Sequence, residues 1–247
     1  MKIRGRRACQ SCETEWSYYE TGSIECPNCG SLHSVGIDNK RNEHTDTPTD
    51  LSLSPFRSRV ANDPIDQYSD DLKRVLREYT RKRGFIHGGE LRELDDTYLC
   101  VQELLHVVDL LTRSRSPTED EELYFLTLFD TLCIDQDPAD TADRAADWPA
   151  PSAVPAGFHD ARGLAVTESI ESYVRDLRTW LEAHPDSEAT ATLQLLRDQR
   201  KRADALGGDI SPPFATELAI AARELGKYLR TGDLDALASA RDRLQQR

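Results

Sequence analysis

"ACQSCETEWSYYETGSIECPNCGS", residues 8–31, places four cysteines in two Cys-x-x-Cys pairs, Cys9/Cys12 and Cys26/Cys29, with thirteen residues between the pairs. Each pair can grip a metal ion from one tight turn, and four thiolates satisfy tetrahedral Zn²⁺ completely. The spacing lies just under the usual range for such sites. At this spacing in a cytosolic chain, metal binding is favoured over disulfides. A block this short has few core side chains, so the metal must supply much of its folding free energy. The reading is one Zn²⁺ per chain, held by Cys9, Cys12, Cys26 and Cys29. A full shell leaves no position for a catalytic water, so the metal is expected to be structural.

The residues between the pairs fit a hairpin. Trp16 and Tyr18 alternate with Ser17 and Tyr19, Gly22 supplies a turn near the tip, and Ile24 leads back to the second pair. Leu32 and Val35 can begin a third short strand. The second knuckle, Cys26-Pro27-Asn28-Cys29-Gly30, carries a glycine where the backbone needs room. The first, Cys9-Gln10-Ser11-Cys12-Glu13, carries neither proline nor glycine. Lys2, Arg4, Arg6 and Arg7 precede it. With Trp16, Tyr18 and Tyr19 they offer contacts for a partner or for single-stranded nucleic acid, by backbone contact and stacking. Alternatively, the aromatics pack a small core and the arginines are solvated.

The two knuckles and the aromatic segment together resemble the zinc ribbon of transcription factor IIB type, over about the first 38 residues. The ligand set is also that of rubredoxin-like iron sites, whose knuckles usually both carry glycine, so iron is the less favoured metal. The resemblance implies a small β zinc ribbon and a link to transcription. Ribbons also occur in ribosomal proteins, polymerase subunits and enzymes, so the fold alone does not set the activity. With its acidic remainder, the chain looks like an uncharacterised haloarchaeal family that carries such a ribbon at its N-terminus.

The rest of the 247 residues reads as all-helical. Net charge is −13, with 25 Arg against 6 Lys and 26 Asp against 18 Glu. Aspartate-rich, lysine-poor surfaces stay hydrated in concentrated salt, which points to a salt-accumulating archaeon. At about 1 M salt the Debye length is about 3 Å, so a basic patch counts for little without shape complementarity. No apolar run is long enough to span a membrane, and the N-terminus has no signal-peptide pattern, so a cytoplasmic protein is expected.

The organisation expected is a ribbon over 1–38, a polar linker over 39–62, a helical domain over 63–134, an Asp/Ala/Pro-rich linker or loop over 135–160, and a helical domain over 161–247. The two helical segments form either one bundle or two. Asp63-Pro64 reads as a helix start, and a second helix reads from Glu90 to Arg113. Ser116 with Glu119 reads as a capping box before a face of Leu123, Leu126, Phe129, Leu132 and Cys133. Trp148 and Phe158 are candidates to dock on a helical surface. Later helices are expected over 161–184, over Ser187–Leu206, after Ser211-Pro212, and after the turn at Gly232-Asp233.

Other constellations are weaker. Glu103-Leu104-Leu105-His106 has the spacing of one half of a di-iron ligand set, but no second half exists, so His106 reads as a core-edge residue. Cys100 and Cys133 read as buried free thiols. No P-loop, dinucleotide fingerprint or nucleophile elbow is present, and an enzyme is not expected. The function expected is that of a zinc-binding adaptor or regulatory protein whose helices bind a protein partner. Direct nucleic-acid binding by the ribbon is the alternative, and an enzyme of unknown class the third. No membrane is involved, and nothing in the pattern sets an oligomeric state.

Overall fold

The computed structural model describes residues 1–113, 116–134 and 147–245. Short antiparallel strands make up the N-terminal part. Strand β1 (Lys2–Ile3) is followed by β2 (Arg6–Cys9), β3 (Glu15–Ser17), a helical turn α1 (Tyr18–Thr21), β4 (Ser34–Gly36) and β5 (Asn42–Glu43). The central sheet has the order β3-β2-β4, with Arg7 opposite both Trp16 and Gly36. A second ladder pairs β1 with β5, Lys2 opposite Glu43.

The third strand near Val35 is therefore present, but the hairpin between the cysteine pairs is not. Tyr18–Thr21 coil into α1, and Gly22, at φ +63°, closes it by donating its N–H to Tyr18 O at 2.8 Å. An alternation this short has only Trp16 to bury, and the chain is free to turn once that ring is covered.

Residues 39–62 do not form a free linker. Besides β5 they contribute α2 (Arg57–Asn62), the buried His44 and Asp46, and Leu53 and Phe56 in the helical core. Much of this anchoring is polar and local, which leaves no periodic signature. Asp63-Pro64 ends α2 and leads into a single 3-10 turn, Ile65–Gln67, rather than directly into an α-helix. The Asp63 N–H bonds Arg59 O, and both residues are extended, as expected for a residue preceding proline. The helix begins later, as α3 (Ser69–Lys82).

The second expected helix also starts late. Strands β6 (Ile86–His87) and β7 (Glu90–Leu91) form a hairpin over Gly88-Gly89, both at positive φ. Helix α4 (Asp96–Arg113) follows, capped by Asp95, whose Oδ1 accepts from Tyr98 N–H at 2.8 Å. The capping box of α5 (Glu119–Ile134) is Thr118 with Glu121, each side chain accepting from the other's N–H, two residues beyond the expected pair. The expected face is only partly the buried one: Leu123 and Leu126 point outward, and Tyr124, Phe125 and Leu128 are buried beside Phe129 and Leu132.

Of the expected loop 135–160, residues 135–146 lie outside the described residues. Beyond them Phe158 is buried, and Trp148 packs against the same core. Helices α6 (His159–Ala183), α7 (Ser187–Ala205), α8 (Pro212–Thr231) and α9 (Leu234–Gln245) complete the body. Ser211 caps α8 and Gly232, at φ +73°, ends it. One contiguous apolar cluster runs from Leu53 to Leu244, so the two helical segments share a single core. No described helix is long and apolar enough to cross a membrane.

A charged pair sits inside that core. Glu103 on α4 and Arg162 on α6 are both fully buried, with Arg162 Nη1 2.5 Å from Glu103 Oε2. Tyr124 Oη donates to Glu103 Oε1 at 2.6 Å and Trp148 Nε1 to Oε2 at 2.7 Å. The guanidinium also lies 3.5 Å from the centre of the Trp148 ring and donates to Pro149 O.

The N-terminal part is seated on the body through side chains. The Tyr19 ring lies 4.7 Å from His44 and 5.8 Å from His87. Thr45 Oγ1 donates to Asp176 Oδ2 on α6 at 2.7 Å, and the same oxygen accepts from Phe85 N–H at 2.7 Å. Burial, reinforced by nearby His87, holds the His44 imidazole down at about 4, against an ordinary 6.5. Between those values the unfolded chain takes up a proton that the folded chain refuses. The contribution is complete above about pH 6.5 and is lost as the pH falls toward 4, on the order of 3 kcal/mol in all. His44→Asn keeps an acceptor for Gly88 N–H, which His44 Nδ1 now bonds at 3.2 Å. Urea titrations should show the stability gap between wild type and this variant shrinking from pH 7 to pH 4.5. A constant gap would contradict the assignment.

Candidate metal centre

The two cysteine pairs fold into matching turns. Cys9 N–H donates to Thr14 O at 2.9 Å and Glu13 N–H to Cys9 O at 3.1 Å. At the same offsets, Cys26 N–H donates to Ser31 O at 3.0 Å and Gly30 N–H to Cys26 O at 2.9 Å. Gly30 has φ +70° and Glu13 φ +60°, so the first knuckle adopts the glycine conformation without a glycine. A side chain there is strained by about 1 kcal/mol. Glu13→Gly is therefore expected to make the site several-fold more resistant to a chelator, read as slower metal loss to a chromogenic acceptor.

The knuckles bring the four sulfurs together. Cys9 and Cys29 Sγ are 3.6 Å apart, Cys12 and Cys26 3.6 Å, and Cys12 and Cys29 3.4 Å, with all four within 4.8 Å of one another. Sulfurs about 2.3 Å from a central Zn²⁺ stand about 3.8 Å apart, against about 2.05 Å in a disulfide. All four are free thiols. The donor set and its spacing fit a tetrahedral metal ion such as zinc. Cys9 and Cys26 are buried with Trp16, and Cys12 packs against them. These residues are the whole local core.

A family model matches residues 1–244. The chain belongs to DUF7117, a family of unknown function. No curated protein and no solved structure matches it.

In this DUF7117 protein the surroundings of the sulfurs favour thiolates unequally. Hydrogen bonds from the Thr14 side chain and backbone bring Cys12 down to about 6. The Ser11 N–H, 3.3 Å from Cys9 Sγ, lowers Cys9. At Cys29 the Ser31 backbone N–H favours the thiolate, but hydrogen bonding to Cys12 and burial prevail and push it up to about 12. Four negative sulfurs so close repel one another, and a divalent cation is what lets the last proton leave. Asn28 Nδ2, 3.3 Å from Thr14 Oγ1, braces the same corner. Neither Thr14 nor Asn28 stands out in the sequence as a neighbour of the site.

The residues read from sequence as contacts take varied places in the DUF7117 fold. Trp16 is buried, and its Nε1 donates to Ser23 O at 3.0 Å, so it serves the local core. Tyr19 leans on His44 and donates its hydroxyl to Ile3 O at 3.1 Å, while Tyr18 is half-buried, 6.1 Å from the His44 ring. Arg6 pairs with Glu15 at 2.7 Å and Arg7 bonds the Ser34 hydroxyl and carbonyl. Lys2 lies 3.7 Å from Glu43, and Arg4 reaches Gly36 O at 3.4 Å. Lys2, Arg4 and Arg6 remain exposed. In the body, Glu103 turns to Arg162 and His106 lies 3.2 Å from Glu168, so the Glu-x-x-His spacing does not form one site. Cys100 and Cys133 are buried, as expected.

Proposed function

We propose that this protein is a non-enzymatic zinc protein of cytoplasmic, salt-rich surroundings. A ribbon of transcription factor IIB type, closed by one zinc ion on Cys9, Cys12, Cys26 and Cys29, serves as a structural module beside a helical body. The body binds a protein partner, in a process linked to transcription. The observation that carries the zinc reading is the convergence of four thiols, all within 4.8 Å of one another, from two matching knuckles. A Cys₄ shell has no open coordination position, which supports a structural role. The adaptor reading is supported by the acidic, aspartate-rich composition, since a surface of net charge −13 suits protein partners better than nucleic acid. Direct binding of nucleic acid by the ribbon is the second reading, favoured by the exposed Lys2, Arg4 and Arg6.

Elemental analysis of the purified full chain should return about one zinc per chain. A metal-free protein with an ordered N-terminal sheet would overturn the zinc reading. Affinity purification in native salt should retain a protein partner that survives nuclease treatment and is kept by the Cys9→Ser/Cys12→Ser variant, whereas its loss would move recognition to the ribbon. Retention of nucleic acid that falls when Arg4, Arg6 and Arg7 are changed to Gln would favour the second reading over the first.

A further inference from the structure

The seam between the N-terminal sheets and the helical body holds a cleft of about 530 Å³ whose floor includes His44, Asp46 and Asp176. We propose that this cleft binds a phosphomonoester of mononucleotide size, with Arg81, Arg83 and Arg175 around the phosphate and Tyr18 against the base. This goes beyond the zinc reading and rests on it only for Tyr18, which lies in the part that the metal is expected to hold folded.

Charge is the first observation. Arg81 comes from the last turn of α3, Arg83 from just beyond it, and Arg175 from α6, so separate parts of the fold converge on one cleft in a chain of net charge −13. The cleft carboxylates are already engaged. Asp46 takes Arg92 at 2.7 Å, Gly84 N–H at 3.1 Å and His87 at 3.2 Å, and one oxygen of Asp176 takes Phe85 N–H and Thr45. Arg83 is bound to Asp95 at 3.0 Å and lies 3.6 Å from Asp46. Arg81 and Arg175 are exposed and make no ion pair among the described residues, so their charge is free for a ligand. The charge left over is positive. Guanidinium groups are suited to phosphate because their planar donors bind two oxygens at once. The C-terminal end of α3 opposes an anion, but charge-assisted bonds from two arginines outweigh a helix end's partial charge.

His44 is the second observation. It lines the cleft, is 5% exposed, and its Nδ1 accepts from Gly88 N–H. In the neutral ring the proton then sits on Nε2, and Nε2 is buried with no partner. A buried donor left unsatisfied is costly, and a small shift of the ring toward the cleft would bring it to a ligand oxygen. The volume is the third observation. It exceeds what inorganic phosphate fills, and Tyr18, whose hydroxyl has no hydrogen bond among the described residues, also lines the cleft. A flat aromatic wall beside a cationic end matches a base joined to a phosphate.

Titration calorimetry on the full-length, zinc-loaded protein tests this with AMP, ribose 5-phosphate, inorganic phosphate and adenosine. AMP should bind best, ribose 5-phosphate more weakly, and adenosine least. Arg81→Gln and Arg175→Gln should each weaken AMP by about tenfold or more. Tyr18→Leu should weaken AMP while leaving ribose 5-phosphate unchanged. Zinc content and circular dichroism should be the same in all variants, which separates failure here from failure of the zinc reading. No phosphate compound binding at millimolar concentration, or AMP affinity indifferent to both arginines, would overturn the site. Inorganic phosphate binding as tightly as AMP would overturn the nucleotide assignment.

Discussion

Removing the metal with a chelator is expected to melt residues 5–37 and leave the helical signal nearly whole. The buried apolar side chains that hold this part together are Cys9, Trp16 and Cys26, with Cys12 against them. Four side chains, three of them the proposed ligands, are far too few to offset the entropy of ordering more than thirty residues. A structural zinc contributes about 10–16 kcal/mol of apparent binding free energy, and without it that sum turns unfavourable. The helical core is a separate cluster from Leu53 to Leu244 and includes none of the four cysteines of the proposed site. Hydrogen exchange should show protection lost across β2, β3 and β4 and kept in α4, α6 and α8. Cys26→Ser should act in the same way. Loss of a large share of the helix on chelation would show that the two cores are interdependent.

The second large effect lies at Glu103. Glu103→Leu leaves the Arg162 guanidinium buried with its carboxylate gone, and strips the partners from Tyr124 and Trp148. Breaking a buried pair from one side typically costs 3–5 kcal/mol, so about 4 kcal/mol is expected in denaturant unfolding. The double variant Glu103→Leu/Arg162→Met should recover much of that, because replacing both members with apolar groups is often neutral. A single substitution within about 1 kcal/mol of wild type would mean that water reaches the pair. Trp148 fluorescence gives an independent readout, since its indole loses both the carboxylate and the stacked guanidinium.

The cysteine cluster was legible because its four members are near in sequence and their spacing is that of a metal-binding set. The α8–α9 turn was legible for a similar reason: Ser211-Pro212 and Gly232 write their backbone conformations into the residues themselves. Asp63-Pro64 misled because the same pair can end one helix or start another, and only the packing of Phe56 and Leu72 decides. Leu91 and Leu94 are core residues, as their apolar character suggests, but Gly88-Gly89 first spends the chain on a hairpin. Least legible was the seam. His44, Asp46 and Asp176 are buried polar groups satisfied by backbone N–H groups and side chains distant in sequence, and no local pattern announces such bonds.

That seam also sets an order in time. Thr45 and Asp176 are 131 residues apart, so the bond between them cannot form until α6 has been synthesised. At about 5–20 residues per second, the interval is on the order of ten seconds. The cysteine knuckles need no later residue and can capture their metal throughout it. The nascent chain would thus carry a finished N-terminal module, held first by the β6–β7 hairpin, and its seating on α6 would be among the late events of folding.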